Sequence, residues 1–400
     1  MKKILFFAAV IAATVLSLPS CKKNQTPDTD LTKLWPAADA TTGKKGYIDK
    51  TGNFKIPAVY DETSNFFSCG YAWARVGNME YYINKSGNVK YTSEGLLFSF
   101  YYNYAVEKDK NGRYGLLNHS LTYNILPVFG KLGNMSYDGL VAACPAGGES
   151  YGYVDARGNF KIDTAYASAK TFVDGHACVG IEKGIVLKWG LIDKKGNYTV
   201  EPTYALAKSL GHNRWAMYQG EQWVMIDAQG NTKGAYLGIE GSIDGENLYN
   251  AENKDHKWGV VDQDGKEVIP FTYERIYQFN QGMAAARTYE KDSTYTGSII
   301  DKKGKVLYSE KADEWDPETP MHNGLILIKT TVGDVTTKKW MDKTGKVIYS
   351  WKLQGANLIE DLMVDDYRKW EEMGTRDPQK APKAENETFE WTPEPFYVVK

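Results

Sequence analysis

One phrase recurs along this chain in nine copies, several of them degenerate and the third without its turn Gly: an aromatic residue or Gly, two apolar residues, Asp or Asn, two polar residues, then Gly and Asn or Lys. It reads GYIDKTGN from Gly46, YYINKSGN from Tyr81, GLLNHSLT from Gly115, GYVDARGN from Gly152 and GLIDKKGN from Gly190. It continues as VMIDAQGN from Val224, GVVDQDGK from Gly259, SIIDKKGK from Ser298 and KWMDKTGK from Lys339. Successive Asp or Asn positions lie 34 to 41 residues apart. A unit this short cannot bury an apolar face alone, so a chain written this way must stack its units against one another.

The phrase describes a β-hairpin. Two apolar residues end a strand, and the D-x-x-G that follows reverses the chain. The Asp carboxylate accepts backbone N–H groups two or more residues on, and Gly takes the left-handed conformation that finishes the turn. The residue pairs expected to do this are Asp49 and Gly52, Asp155 and Gly158, Asp193 and Gly196, Asp227 and Gly230, and Asp262 and Gly265. A second strand follows and often runs into Pro and Tyr, as in Ile56-Pro57 to Tyr60 or Ile269-Pro270 to Tyr273. Pro offers no N–H to a ladder and ends the strand. The rest of each unit, such as Phe172 to Val179 or Phe279 to Ala286, reads as a third strand. Between residues 43 and 350 no apolar pattern of helical period is sustained, so the expected fold is all-β.

The Lys188-Trp189-Gly190-Leu191-Ile192-Asp193 and Lys257-Trp258-Gly259-Val260-Val261-Asp262 runs resemble the WG (KWG) repeat of bacterial proteins. The resemblance covers roughly residues 43–350 and makes Trp189, Gly190, Trp258 and Gly259 repeat-defining positions. It implies a tandem array of about nine antiparallel β-hairpin repeats of ~36 residues, and no shared catalytic activity. Propeller blades take four strands in ~40–45 residues. Three short strands per unit therefore favour an open solenoid over a closed propeller.

The ends read differently. Lys2 and Lys3 precede an uncharged apolar run, Ile4 to Leu18, too short to span a bilayer as a helix. Residues 1–20 are read as a signal peptide, because Leu18-Pro19-Ser20-Cys21 resembles a bacterial lipobox, which implies cleavage before Cys21 and its acylation. Several acyl chains hold a protein stably on a membrane. Residues 21–42, polar with two prolines, would be the tether. Neither residue after Cys21 is Asp, which favours the outer membrane of a bacterial cell envelope. At the other end, Leu358, Ile359, Leu362, Met363, Tyr367 and Trp370 recur at near-helical spacing. Residues 351–375 are expected to form a helical cap, and 376–400 a loose tail. Cys69, Cys144 and Cys178 are an odd set, with free thiols preferred to a Cys144–Cys178 bridge.

Chemistry is hard to find in this sequence. The chain has 48 Lys and Arg against 50 Asp and Glu, which excludes a polycationic nucleic-acid binder. The five His residues show no zinc spacing, and no nucleophile or phosphate-binding motif occurs. No metal, cofactor or catalytic residue is assigned. Trp and Tyr residues off the repeat position, namely Trp73, Tyr101, Tyr102, Trp215 and Trp223, are the candidate binding aromatics. The first functional expectation is a non-enzymatic, lipid-anchored scaffold for an envelope protein. The second is a carbohydrate-binding lipoprotein that stacks glycans on those aromatics. An envelope enzyme using Glu107, Asp109, His119 and Asp138 is the third.

Overall fold

The computed structural model describes residues 33–241 and 247–353, and every regular element in them is a β-strand. The turns form as their chemistry requires. At the fifth phrase the Asp193 carboxylate accepts the N–H of Lys195 at 2.8 Å and of Asn197 at 2.9 Å, and Gly196 N–H donates to Asp193 O at 3.0 Å. Gly196 sits at φ 84°. In the third phrase, which lacks the Gly, Leu121 takes φ 60° instead. Burial opposes ionisation of Asp49, but hydrogen bonds from Thr51, Lys55 and Asn53 outweigh it and hold the carboxyl at about 2. Asp155 is also at about 2, with burial opposed by Asn159, Arg157 and Lys161.

Units after the first have four strands where three are expected from the sequence. The fifth runs Ser168–Ala169, His176–Lys183, Val186–Asp193 and Tyr198–Tyr204, antiparallel and in chain order across the sheet. The extra strand is the short first one. It follows the preceding unit's fourth strand after one or two residues, as Glu62–Thr63 follows Tyr60 across Asp61. The segment after the Pro-Tyr signature thus crosses to the next sheet and pairs there. Between the third and fourth units the crossing strand, Tyr123–Leu132, is unbroken, so these two share one seven-stranded sheet. The remaining sheets are four-stranded, except for the first, which has three strands.

Neighbouring units meet through the apolar residues of the phrase. Tyr47 packs beside Phe66 in a core that also holds Ile56, Tyr60, Ala72 and Ile83 from the first two units. Its hydroxyl donates to Ser64 O, beside the first strand of the second unit, at 2.8 Å. Tyr153 repeats this contact with Lys170 O at 2.7 Å. Both faces of an interior sheet are covered by its neighbours, and the second strand Leu140–Pro145 is buried along nearly all its length.

The array closes on itself, which corrects the expectation of an open solenoid. Trp35, Ala37, Ala38 and Ile48 of the first unit share one core with Leu325, Leu327, Trp340 and Trp351 of the last. The Trp35 indole donates to His322 O at 3.0 Å. With four strands per unit, the ~36-residue period supplies enough sheet for a ring of propeller type. Among the described residues no sheet closes into a barrel.

The seam has its own design. The first unit comprises Trp35–Ala38, Lys45–Ile48 and Phe54–Tyr60, which correspond to the second, third and fourth strands elsewhere. In the second unit, the outward carbonyls of Trp73 and Arg75 are taken by the N–H groups of Ser64 and Asp61, on or beside the first strand. By register the equivalent residues of the first unit are Pro36 and Ala38. Their carbonyls are taken instead by the Trp340 indole at 2.6 Å and the Tyr349 hydroxyl at 2.9 Å. Pro36 has no N–H to leave unpaired, so this edge is closed to a further strand. Residues 35–38 are therefore core and not tether. The signal peptide, Cys21, the rest of the tether up to residue 32, and all but the first few residues of the expected helical cap and tail lie outside the described residues.

Candidate functional site

The repeat-defining pair explains itself in packing. Trp189 and Trp258 are buried, with the Lys170 ammonium 5.4 Å from the first ring and the Arg275 guanidinium 3.8 Å from the second. A Cβ on Gly190 would lie 2.5 Å from Val200 O, and one on Gly259 would lie 2.7 Å from Ile269 O. The fourth strand crosses too closely for any side chain there. In the eighth phrase Gly297 stands at the Trp position. Trp315 from the next unit fills the space, so that a Cβ on Gly297 would meet its ring at 1.9 Å.

The candidate aromatics separate by burial. Trp73 and Trp215, 6% and 0% exposed, are core residues and not platforms, which corrects the expectation for both. The Trp73 indole donates to the buried Glu80 carboxylate at 2.8 Å, and the Trp215 ring lies 5.3 Å from His176. Trp223 is half-buried beneath the Lys208 ammonium, 4.4 Å from its ring, and Tyr101 is half-buried at a strand end. Tyr102 is the most exposed of the five, at 37%. It meets Tyr137, which is not among the residues expected from the sequence; Tyr137 is 61% exposed, with its ring centroid 5.7 Å away in an edge-on arrangement. The signal available was a bulky aromatic inside the short Ser136-Tyr137-Asp138-Gly139 turn.

The four residues of the enzymatic expectation are not brought together. Glu107 is buried and accepts the hydroxyls of Tyr91 at 2.7 Å, Ser93 at 2.5 Å and Tyr123 at 2.5 Å. Asp109 closes a hairpin turn between Tyr104–Lys108 and Tyr114–Asn118, and His119 lies in the turn at the opposite end of that last strand. Asp138 belongs to the next unit, and Lys194 of the unit after that pairs with it at 3.2 Å. Cys69, Cys144 and Cys178 are free thiols. Among the described residues no three His, Cys, Asp or Glu side chains gather as a metal site. A shallow cleft of about 380 Å³ between the second and third units carries mixed charge, from Arg75, Lys108 and Lys110 to Glu80, Glu94 and Asp109.

The ring has two unlike ends. One carries the D-x-x-G turns together with the turns between first and second strands. There the units are laced by side chains: Asp138 accepts Gly175 N–H at 3.0 Å, Asp174 accepts Asn213 N–H at 2.8 Å, and Gln281 accepts Gly324 N–H at 2.9 Å. Tyr102 and Tyr137 sit on this laced end. The other end carries the tips of the second–third hairpins, and several expose apolar residues: Ile185 and Val186, Tyr289, and Val332 and Val335. The chain enters at the laced end, where Trp35 meets the His322 turn, and leaves at the tip end, where Leu353 N–H donates to Thr336 O.

The WG containing repeat matches the chain at residues 46–79, 151–183, 189–213 and 258–291. No curated protein matches it. Among solved structures, a eukaryotic initiation factor is similar with a TM-score of 0.60 at 11% identity, over 80% of this chain and 96% of that one. The computationally designed protein Ika8 gives 0.41 at 12% identity, over 72% and 94%. Sqt1 of Saccharomyces cerevisiae gives 0.35 at 10%, over 72% and 93%. At such identities the likeness is one of fold, and the structural neighbours are β-propeller and repeat-like folds.

Proposed function

From a chain that carries WG repeats in four places, we propose a lipid-anchored, non-enzymatic binding protein of the bacterial cell envelope that holds a protein partner on its ring. The repeat architecture is consistent with a scaffold or binding role. The observation that carries the finer reading is the division of the ends. The described chain begins at the laced end, so an anchor at Cys21 would tether the ring from that side. The exposed Ile185, Val186, Tyr289, Val332 and Val335 then point away from the membrane, where a partner can cover them.

Two measurements test this. Replacement of Cys21 by Ser should move the protein from the outer-membrane fraction to the soluble one, and the unmodified protein should carry an acylated N-terminal peptide by mass spectrometry. Crosslinking in whole cells should trap one envelope protein, and the I185E and V332E variants should lose it while keeping their fold by circular dichroism. A crosslinking pattern identical in the wild type and both variants would remove the tip end as the docking surface.

A further inference from the structure

We infer that Tyr102 and Tyr137 form a saccharide-binding corner on the laced end of the ring. The inference is independent of the protein partner proposed for the opposite end. It begins from an oddity of backbone. Tyr102 and Asn103 are the central residues of a two-residue turn at φ 46° and 71°. In the turns joining first and second strands of other units, the leading position at φ near 50° is held by Asp174, His212, Gln281 or Asn323. Small or polar side chains tolerate the left-handed region, whereas a Tyr there is strained. The turn carries an aromatic ring on the surface at a cost in backbone strain.

The ring is not alone. Tyr137, from the matching turn of the next unit, stands nearly perpendicular to it, with centroids 5.7 Å apart and planes at 63°. Two exposed rings at this angle form a corner, one flat side for the apolar face of a sugar and one edge beside it. Acceptors flank the corner. Burial first, and then the Asp174 and Asp138 carboxylates, raise the pKa of the Tyr102 hydroxyl, so both carboxylates lie within electrostatic reach of it. Each is fixed in place, Asp138 by Gly175 N–H and Lys194, Asp174 by Asn213 N–H. Carboxylates held this way are oriented acceptors for hydroxyl groups. A Lys or Arg side chain of a peptide is the competing occupant, drawn by Asp174 although Lys194 already balances Asp138, but two rings set as a corner between fixed acceptors suit a hydroxyl-rich ligand better. The chemistry therefore favours a neutral, hydroxyl-rich ligand.

The test uses the full chain carrying C21S, titrated by calorimetry with short oligosaccharides of mannose, glucose, xylose and N-acetylglucosamine, and with a lysine-rich peptide. At least one oligosaccharide should bind. Y102A and Y137A should each weaken that binding about tenfold, the loss of one stacking contact. Y102G should weaken it equally without lowering the melting temperature, because Gly relieves the turn; a merely structural Tyr would lose stability instead. Three results would overturn the assignment: no oligosaccharide binding, binding unaffected by Y102A and Y137A, or the peptide binding at these two residues in place of a sugar.

Discussion

At the scale of single residues, this protein is governed by side chains that bond to their own backbone. Asp49 and Asp155 accept N–H groups two and four residues ahead, and that local geometry needs no help from the rest of the fold. The turn positions were therefore legible in the sequence. The two carboxyls sit at about 2, below the ordinary value near 3.9 that an unfolded chain would restore. Protonation thus favours unfolding, and the stability these groups supply is present above pH ~4 and is lost as pH falls toward ~2. Thermal melts across that window should show the loss, and D49N should flatten its own share of it. Where the left-handed turn position is held by a residue other than Gly, the opposite change is expected. His256 sits at φ 56° with an exposed side chain in the turn opened by Asn253. H256G should raise stability by about 1 kcal/mol in urea titrations.

Elements were harder to read, for two physical reasons. The first strand of a unit is as short as two residues, too brief to show any alternation, so a four-stranded unit looked three-stranded. Alternation also misleads when a sheet is covered on both faces. Trp73 and Trp215 fall off the repeat position, yet both faces of their strands are interior, and exposure cannot be inferred from parity. Tyr102 was legible as a candidate, but its partner Tyr137 was not, because the two lie in different units and meet only through stacking. The exchange at Gly297 shows how neighbouring elements accommodate one another. Removing the ring with W315A should cost about 3–5 kcal/mol. Restoring an indole from the other side, as G297W in the W315A background, should recover part of that loss, whereas G297W alone should unfold the eighth and ninth units. A double-mutant cycle measures the coupling.

For the whole molecule, the decisive contacts join residues about three hundred positions apart, and nothing local announces them. Trp340 resembles any other aromatic of the phrase until the first unit is seen to lack its first strand. The seam is held by side-chain hydrogen bonds where the second unit uses backbone ones. Y349F should remove one such bond at about 1 kcal/mol, and W340F with Y349F should open the seam. Hydrogen exchange should then speed up at residues 35–38 and leave the fifth unit unchanged. Faster exchange spread evenly around the ring would contradict a localised seam.

The same placement of the ends has a mechanical consequence. The described chain enters at Lys33 and leaves at Leu353, on opposite ends of the ring but on the two sides of a single junction. A pull applied between an anchored N-terminal segment and a load on the C-terminal one would pass through that junction as shear, directed along the Trp340 and Tyr349 contacts. The other junctions would be loaded only after it parted. A ring of nine similar units thus contains one designated place to open under force.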